Sequence, residues 1–303
     1  MKTLSIHHVV VRIVAVLYVV VMVSSFMLPG LSVDSVAHSA VYSAAPSAST
    51  SALMREATKE FLSGNFTKAS ALFSELLGRN LTYLQMRDVL VYLCESRLRE
   101  GNVLAAESVA VLATQKLSDV QGLERISFLK GEILYFSGRI DEALEEYMTF
   151  VEVNPESPRV NDVIARLLLM DENSDRDRVP LRAFSYAQFL WFADMPDSAL
   201  SVLDVLLASF PHALIADDAL STKGDILRAR EDFVGAIAEY DSLKTRFPES
   251  HLVPVCQLKA AYVYARQLKD RDKAASRYEE VITEFPETSF AVKARRLLQE
   301  LRK

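Results

Sequence analysis

The residues most suggestive of chemistry form a short acidic loop. Residues 171–177 read DENSDRD, which places side-chain oxygens at alternate positions, as at the start of a calcium-binding loop. The sixth position, where the sharp turn needs glycine, is Arg176, and the twelfth, where a bidentate glutamate is needed, is Arg182. We therefore predict a solvated polar linker here and no metal site.

Histidines that could serve as acid–base or ligand groups are few. Of the five, His7, His8 and His38 lie near the start of the chain. His212 and His251 fall in turns, without a serine or cysteine nucleophile at an interpretable spacing. HExxH, GxSxG and a glycine-rich phosphate loop are all absent from the sequence. We predict that the chain is not an enzyme, with no catalytic residue and no cofactor.

The first fifty residues differ in composition from the rest. A basic start is followed by an unbroken apolar run over residues 13–23, which is the length of a signal-peptide core. Ser35-Val36-Ala37 fits a signal-peptidase site, and Ser43-Ala44-Ala45 is a second candidate. We expect residues 1–37 to be a signal peptide, and the Ser/Ala-rich residues 38–52 a flexible linker. The alternative is an uncleaved anchor, if the apolar stretch over residues 9–28 spans the membrane.

The remaining sequence repeats at a nearly constant interval. One alanine marks each repeat: Ala69, Ala106, Ala143, Ala199, Ala236 and Ala274. The steps between them are 37, 37, 56, 37 and 38 residues, and apolar residues inside each repeat have helical spacing. A period of this size predicts stacked helical hairpins, in which each repeat buries surface against its neighbours.

Other positions recur with the alanines. A small residue precedes each alanine by twelve or thirteen positions: Ala57, Cys94, Gly131, Ala187, Gly224 and either Ala261 or Tyr262. A turn residue precedes it by five: Gly64, Gly101, Gly138, Asp194, Glu231 and Lys269. The residue four after it is usually aromatic: Phe73, Tyr147, Tyr240 and Tyr278, with Ala110 and Leu203 as departures. Four repeats close with a proline: Pro155, Pro211, Pro248 and Pro286.

As a set, these positions resemble the tetratricopeptide repeat, over about residues 53–286. The resemblance implies an all-α fold, a right-handed α-solenoid of about six helix pairs, and binding of a protein or peptide partner. The endings Phe210-Pro211, Phe247-Pro248 and Phe285-Pro286 resemble those of exported tetratricopeptide proteins of Gram-negative envelopes. The chain departs from the outer-membrane assembly lipoprotein, since no cysteine precedes Cys94, and from the Tol-Pal coordinator, since it has no N-terminal coiled coil.

The 56-residue step predicts one extra helix between repeats three and four. We place an inserted helix, Val160 to Met170, and a polar loop within residues 157–180. Repeats one to three then occupy residues 53–156, and repeats four to six residues 181–286. Residues 287–303 form an amphipathic capping helix, which a stack of repeats needs at its end.

Aromatic residues flank the irregular step in matched positions. Two sets are offset by 56 residues: Phe128, Tyr135 and Phe136, and Phe184, Trp191 and Phe192. In tetratricopeptide domains several such first-helix positions line the groove that receives a peptide, so all six are candidate partner-binding residues. The alternative is that both sets pack on the inserted helix.

The charge balance limits the class of partner. The net charge of −6, with no run of Lys or Arg, excludes a nucleic-acid partner, since phosphate contacts need a basic face. Cys94 and Cys256 fall in repeats two and six, too far apart in an extended stack for a disulfide, so we predict buried small hydrophobes.

The predicted function is that of a non-enzymatic, exported scaffold for protein–protein interactions in the cell envelope. The alternative is a membrane-anchored structural accessory subunit of an envelope assembly or secretion complex. The expected location is the periplasm or the medium, or the inner membrane if the leader is retained. Contact with a membrane is expected only through that anchor.

Overall fold

The computed structural model describes residues 48–174 and 178–303. The predictions of a signal peptide or anchor over residues 1–37, and of the calcium-like loop at 175–177, fall wholly or partly outside these ranges. Within them the chain forms fourteen helices and no strand. None of these helices combines the length and apolar character needed to cross a membrane.

The helices follow the predicted order. Seven precede residue 175: α1 (Ala48–Leu62), α2 (Phe66–Leu77), α3 (Tyr83–Arg99), α4 (Val103–Lys116), α5 (Val120–Phe136), α6 (Ile140–Val153) and α7 (Val160–Glu172). Seven follow it: α8 (Val179–Phe192), α9 (Pro196–Ser209), α10 (Ala216–Ala229), α11 (Phe233–Arg246), α12 (Val253–Arg266), α13 (Arg271–Glu284) and α14 (Ser289–Arg302).

The helices fall into two compact units. In the first, residues 48–174 with 192–194, each of α1 to α7 packs on the next, and α3 also touches α1 and α5. In the second, residues 178–191 with 195–303, the same neighbour packing runs from α9 to α14, and α12 also touches α14. The predicted class is confirmed: an all-α chain of tetratricopeptide-like helix pairs, with α7 as the inserted helix and α14 at the end of the array.

The first helix begins earlier than the composition indicates. Residues 48–52, which we assigned to the linker, form the first turn of α1, and Thr50 is buried. Arg79 donates a hydrogen bond to Ser49 at 3.3 Å. No proline follows Pro46 in this stretch, and alanine is the best helix former, so the Ser/Ala-rich sequence does not stop a helix that has a neighbour to pack on.

Inside a repeat, the two helices meet at the small residue of the first helix. A Cβ atom at Gly131 would lie 2.3 Å from Cε1 of Tyr147, and one at Gly224 would lie 2.4 Å from Cε1 of Tyr240. The two helices of each repeat therefore approach closely at these glycines. In the last repeat Ala261 is buried whereas Tyr262 is 42% exposed, so Ala261 is the small residue.

The turn residues of the six repeats share one backbone conformation. Gly64, Gly101 and Gly138 have φ of +78°, +81° and +71°. Their counterparts Asp194, Glu231 and Lys269 have φ of +58°, +63° and +56°, although they carry a Cβ. The repeat thus requires a left-handed backbone conformation after the first helix. The last three repeats adopt this conformation without glycine, the residue that favours it.

The step of 38 residues has a local cause at the end of α12. In repeat five, the amide of Asp232 donates to the carbonyl of Leu227, five residues back. In repeat six, the amide of Asp270 reaches Tyr264, six residues back, and that of Leu268 reaches Val263. One extra residue is therefore absorbed in a wider helical turn just before Lys269.

Both cysteines are buried and free of disulfides. Burial raises the pKa of the Cys94 thiol to about 12, and burial also raises the pKa of the Cys256 thiol. Each thiol donates a hydrogen bond inside the fold, Cys94 to the carbonyl of Ala106 and Cys256 to the hydroxyl of Ser221. Protonated, enclosed thiols are poor nucleophiles, in line with the predicted packing role.

The contact of Tyr240 with Gly224 predicts a specific loss of stability. We expect Gly224→Ala to lower the free energy of unfolding by about 1–3 kcal/mol, because the new methyl overlaps the tyrosine ring. This holds although alanine favours an isolated helix by about 1 kcal/mol. Urea denaturation followed by circular dichroism measures the change.

A second substitution shows whether the overlap is the cause. Gly224→Ala combined with Tyr240→Leu reproduces the Ala187–Leu203 pair of repeat four. The double variant should lose less stability than the sum of the two single variants. Simple additivity in this double-mutant cycle would contradict the packing explanation.

The left-handed turns predict a stabilising change. Glu231→Gly should raise the free energy of unfolding by about 0.5–1 kcal/mol. A Cβ costs about 1–2 kcal/mol in this conformation, and glycine returns about 0.5–1 kcal/mol of that through its flexible unfolded state. Glu231→Ala is the matched control, since it removes the same carboxylate but keeps the Cβ. Equal stabilities for the two variants in urea denaturation would rule out backbone strain at this turn.

Candidate partner-binding surface

The aromatic residues at the end of α5 lie in the core of the first unit. Tyr135 and Phe136 are 0% and 5% exposed, with ring centroids 5.7 Å apart. The guanidinium of Arg166, on the inserted helix α7, lies 4.2 Å from the centroid of the Tyr135 ring. For Tyr135 the structure therefore shows packing against the inserted helix.

A polar network surrounds this contact. The hydroxyl of Tyr147 donates a short hydrogen bond to Glu132, and Arg166 lies 3.4 Å from the other carboxylate oxygen. Burial raises the pKa of Tyr147, and the charge of Glu132 raises it further. Tyr147 therefore stays a neutral donor, and its acceptor Glu132 pairs with Arg166.

The third candidate of this set is half-buried. The Phe128 ring meets the edge of Phe150, with centroids 6.1 Å apart, and Arg159 lies 5.3 Å from its centroid. Arg159 also pairs with Glu124 at 3.5 Å. Phe128 is thus held by neighbours on two sides and leaves only part of its ring for a partner.

Phe192 is grouped with the first unit, in residues 192–194. Its ring centroid is 5.5 Å from that of Phe136, and the Arg99 guanidinium lies 3.8 Å from its centroid. Arg99 also donates to the carbonyl of Phe192 at 3.2 Å. The cation–π contact and this hydrogen bond hold Phe192 in place.

In the second unit, only one of the two remaining candidates is exposed. Phe184 is 1% exposed, whereas Trp191 is 37% exposed. Val179, Tyr186 and Met195 are also exposed by between a third and a half, so α8 and the turn after it present four partly exposed apolar residues. Three of the six predicted residues, Tyr135, Phe136 and Phe184, are buried, and the role of the set as partner contacts stays a prediction.

Tyr186 is a residue that the search for matched aromatics missed. It is 48% exposed and lies one position before the buried Ala187. The equivalent residues in repeats three and five are Lys130 and Lys223. An aromatic residue at a position that holds lysine elsewhere was the available sequence signal.

The glutamate that pairs with each lysine is also replaced by an apolar residue in repeat four. Lys130 pairs with Glu146 at 2.8 Å, and Lys223 pairs with Glu239 at 2.8 Å. The equivalent of both glutamates in repeat four is Val202. Repeat four therefore has two apolar residues, Tyr186 and Val202, at positions where its neighbours make an ion pair. Together with Trp191 they define what we call the repeat-four surface.

Within residues 48–174 and 178–303, no group of three or more His, Cys, Asp or Glu is placed to hold a metal ion. Asp171 and Glu172, the start of the calcium-like sequence, form the last turn of α7. Aromatic and aliphatic side chains at a half-exposed position suit contact with a partner polypeptide.

Comparison with known families supports the repeat assignment. Residues 256–288 match the family model of the tetratricopeptide repeat. The chain carries a tetratricopeptide repeat. The matched segment runs through α12 and α13, which form repeat six of the sequence series. No curated protein matches the chain.

Solved structures of tetratricopeptide proteins are similar to this chain at low identity. The TPR domain of P58(IPK) is 16% identical, with 84% of this chain and 65% of that chain covered and a TM-score of 0.35. Pseudomonas aeruginosa pilF is 16% identical, with 84% and 96% covered and a TM-score of 0.30. A Rap protein complexed with competence and sporulation factor is 15% identical, with 84% and 86% covered and a TM-score of 0.37. The chain thus spans about two thirds of the P58(IPK) domain, and at these TM-scores the likenesses carry no inference about function.

Proposed function

We propose that this protein is a non-enzymatic scaffold that binds a partner polypeptide through the repeat-four surface. The observation that carries the proposal is the replacement of an ion pair, present in repeats three and five, by Tyr186 and Val202. The pair is largely enclosed, with Lys223 and Glu239 each 19% exposed, and replacing an enclosed ion pair by apolar residues is often neutral for stability. The apolar pair leaves surface in water that a partner can bury.

The neighbouring residues supply what an interface needs. Trp191 is 37% exposed and Tyr186 is 48% exposed, and aromatic residues of this kind dominate binding energy at protein interfaces. Charged residues surround them in sequence, with Arg182 and Asp194 both exposed. An apolar centre with a polar rim favours a partner segment that presents aliphatic or aromatic side chains.

We further propose that the scaffold works outside the cytoplasm. The proposal rests on the sequence of the leader, with its basic start, its apolar run and the small residues at Ser35 and Ala37. An envelope location follows from the resemblance of the repeat endings to those of exported tetratricopeptide proteins. The competing function, an anchored structural subunit, requires that the leader is retained.

Partner capture tests the repeat-four surface. Tyr186→Lys combined with Val202→Glu installs the ion pair that repeats three and five already make, so the variant should fold. Partners that cross-link to the tagged full-length chain in its host, identified by mass spectrometry, should be lost from this variant. Trp191→Ala should also lose them, with a melting temperature close to that of the parent chain.

The control is an apolar-to-charged substitution outside the repeat-four surface. Leu104, on α4, is 77% exposed and apolar, and Leu104→Glu should leave the captured proteins unchanged. Retention of the same partners by the ion-pair variant would show that they bind another surface. A large fall in melting temperature for Trp191→Ala would mark this residue as part of the core.

The proposed export of the chain leads to a separate prediction. A fusion of alkaline phosphatase to the C-terminus of the full-length chain should be active in a bacterial host, because this enzyme needs an oxidising compartment to form its disulfides. Ala37→Leu should retain the leader and increase the apparent mass. An inactive fusion would contradict export. Unchanged mass in both proteins, with membrane retention, would favour the anchored subunit.

A further inference from the structure

A second site lies in the terminal repeat of the second unit. A cleft of about 470 Å³ is formed by α12, α13 and α14. Three cations line it, Arg266, Lys269 and Arg271, and Leu297 and Leu301 provide an apolar wall. The size is within the range of small-ligand sites, and the excess of positive charge favours an anion.

The decisive residue of the cleft is Tyr278. It is 1% exposed and lines the cleft, and its hydroxyl makes no hydrogen bond to any residue in the described part of the chain. The hydroxyl is not one of the fully enclosed polar atoms that lack a partner, so it is open to the cleft. The equivalent hydroxyls bind an acceptor inside the chain: Tyr147 donates to Glu132, and Tyr240 donates to Asp225 at 2.7 Å.

The acceptor is missing because of the residue after the small position. Glu132 follows Gly131, and Asp225 follows Gly224, so each carboxylate stands next to the small residue on which the tyrosine lies. In repeat six the residue after Ala261 is Tyr262, which has no carboxylate. The terminal repeat therefore has the tyrosine hydroxyl as a donor but no carboxylate at the position that accepts its hydrogen bond in repeats three and five.

The cations that would balance such an acceptor are present. In repeats three and five a cation holds the second carboxylate oxygen, Arg166 at 3.4 Å and Lys259 at 2.6 Å. In the cleft, Arg266 and Lys269 have no ion-pair partner among the described residues. Arg271 donates to the carbonyl of Leu301, and Glu300, the acidic residue of the rim, lies 3.8 Å from Arg296.

Burial and neighbouring groups change the pKa of the Tyr278 hydroxyl. Burial raises the pKa of Tyr278, Arg266 lowers it, and Tyr262 and Glu300 raise it, with a net rise. Tyr278 therefore remains a neutral donor at neutral pH, and Arg266 is close enough to influence the same oxygen. A donor and a cation that converge in this way match an anionic acceptor.

We propose that this cleft binds a carboxylate supplied from outside the chain, which takes the role that Glu132 and Asp225 have in the other repeats. The carboxylate accepts a hydrogen bond from Tyr278 and pairs with Arg266, and an attached apolar group contacts Leu297 and Leu301. The ligand is a small carboxylic acid with an apolar tail, or the carboxylate of a peptide. The site is independent of the repeat-four surface and does not rest on the proposed function.

Calorimetric titration of the full-length chain tests the site. The probes are hexanoate, hexyl phosphate, hexanol and a hexapeptide with either a free or an amidated C-terminus. We expect saturable binding of hexanoate, at least tenfold weaker binding of hexanol, and a tenfold loss with Arg266→Ala or Tyr278→Phe. A preference of the free peptide over hexanoate assigns the carboxylate to a polypeptide, and the reverse order assigns it to a small acid.

Two variants control for folding and for unspecific charge. Tyr240→Phe removes the equivalent hydroxyl where an internal acid already pairs with it, and should leave hexanoate binding unchanged. Lys293→Ala removes an exposed cation of α14 that does not line the cleft, and should also leave it unchanged. Absence of saturable hexanoate binding, tighter binding of hexyl phosphate, or equal losses for Tyr278→Phe and Tyr240→Phe would each overturn the proposal.

Discussion

The contact between a large residue of the second helix and a small residue of the first is the constraint on which the repeats depend. At Tyr147 on Gly131 and Tyr240 on Gly224, the helices approach so closely that a methyl group does not fit. Because both residues are buried, a change in the volume of one has to be compensated by a change in the other. In repeat two the two equivalent positions, Cys94 and Ala110, are both small and both buried.

The tyrosine that fills this contact also brings a hydroxyl group into the core, and this polar atom links one repeat to the next. The hydroxyl needs an acceptor, and a carboxylate beside the small residue provides it. The carboxylate in turn needs a cation, which comes from the following first helix or, at Arg166, from the inserted helix. A packing requirement inside the repeat thereby produces an ion pair between neighbouring elements.

Spacing alone predicted the helices, the turn positions and the small residues, because each follows from local geometry. It did not predict which candidate aromatics are covered. Tyr135 and Trp191 stand 56 residues apart in equivalent positions, yet Tyr135 is 0% exposed and Trp191 is 37% exposed. The cover on Tyr135 includes Arg166, whose position depends on the packing of α7. Periodicity places a residue on a face, whereas burial depends on what a distant segment brings to that face.

In a repeat protein each repeat can be compared with the others, so a departure from the shared pattern is informative. In repeat four an ion pair has become Tyr186 and Val202, so a polar surface position has become apolar. In repeat six a carboxylate has become Tyr262, so the Tyr278 hydroxyl has no acceptor inside the described chain and lies in a cleft lined by Arg266 and Lys269. The two departures differ in chemistry, apolar in one and cationic in the other, which is why we propose different ligands for them.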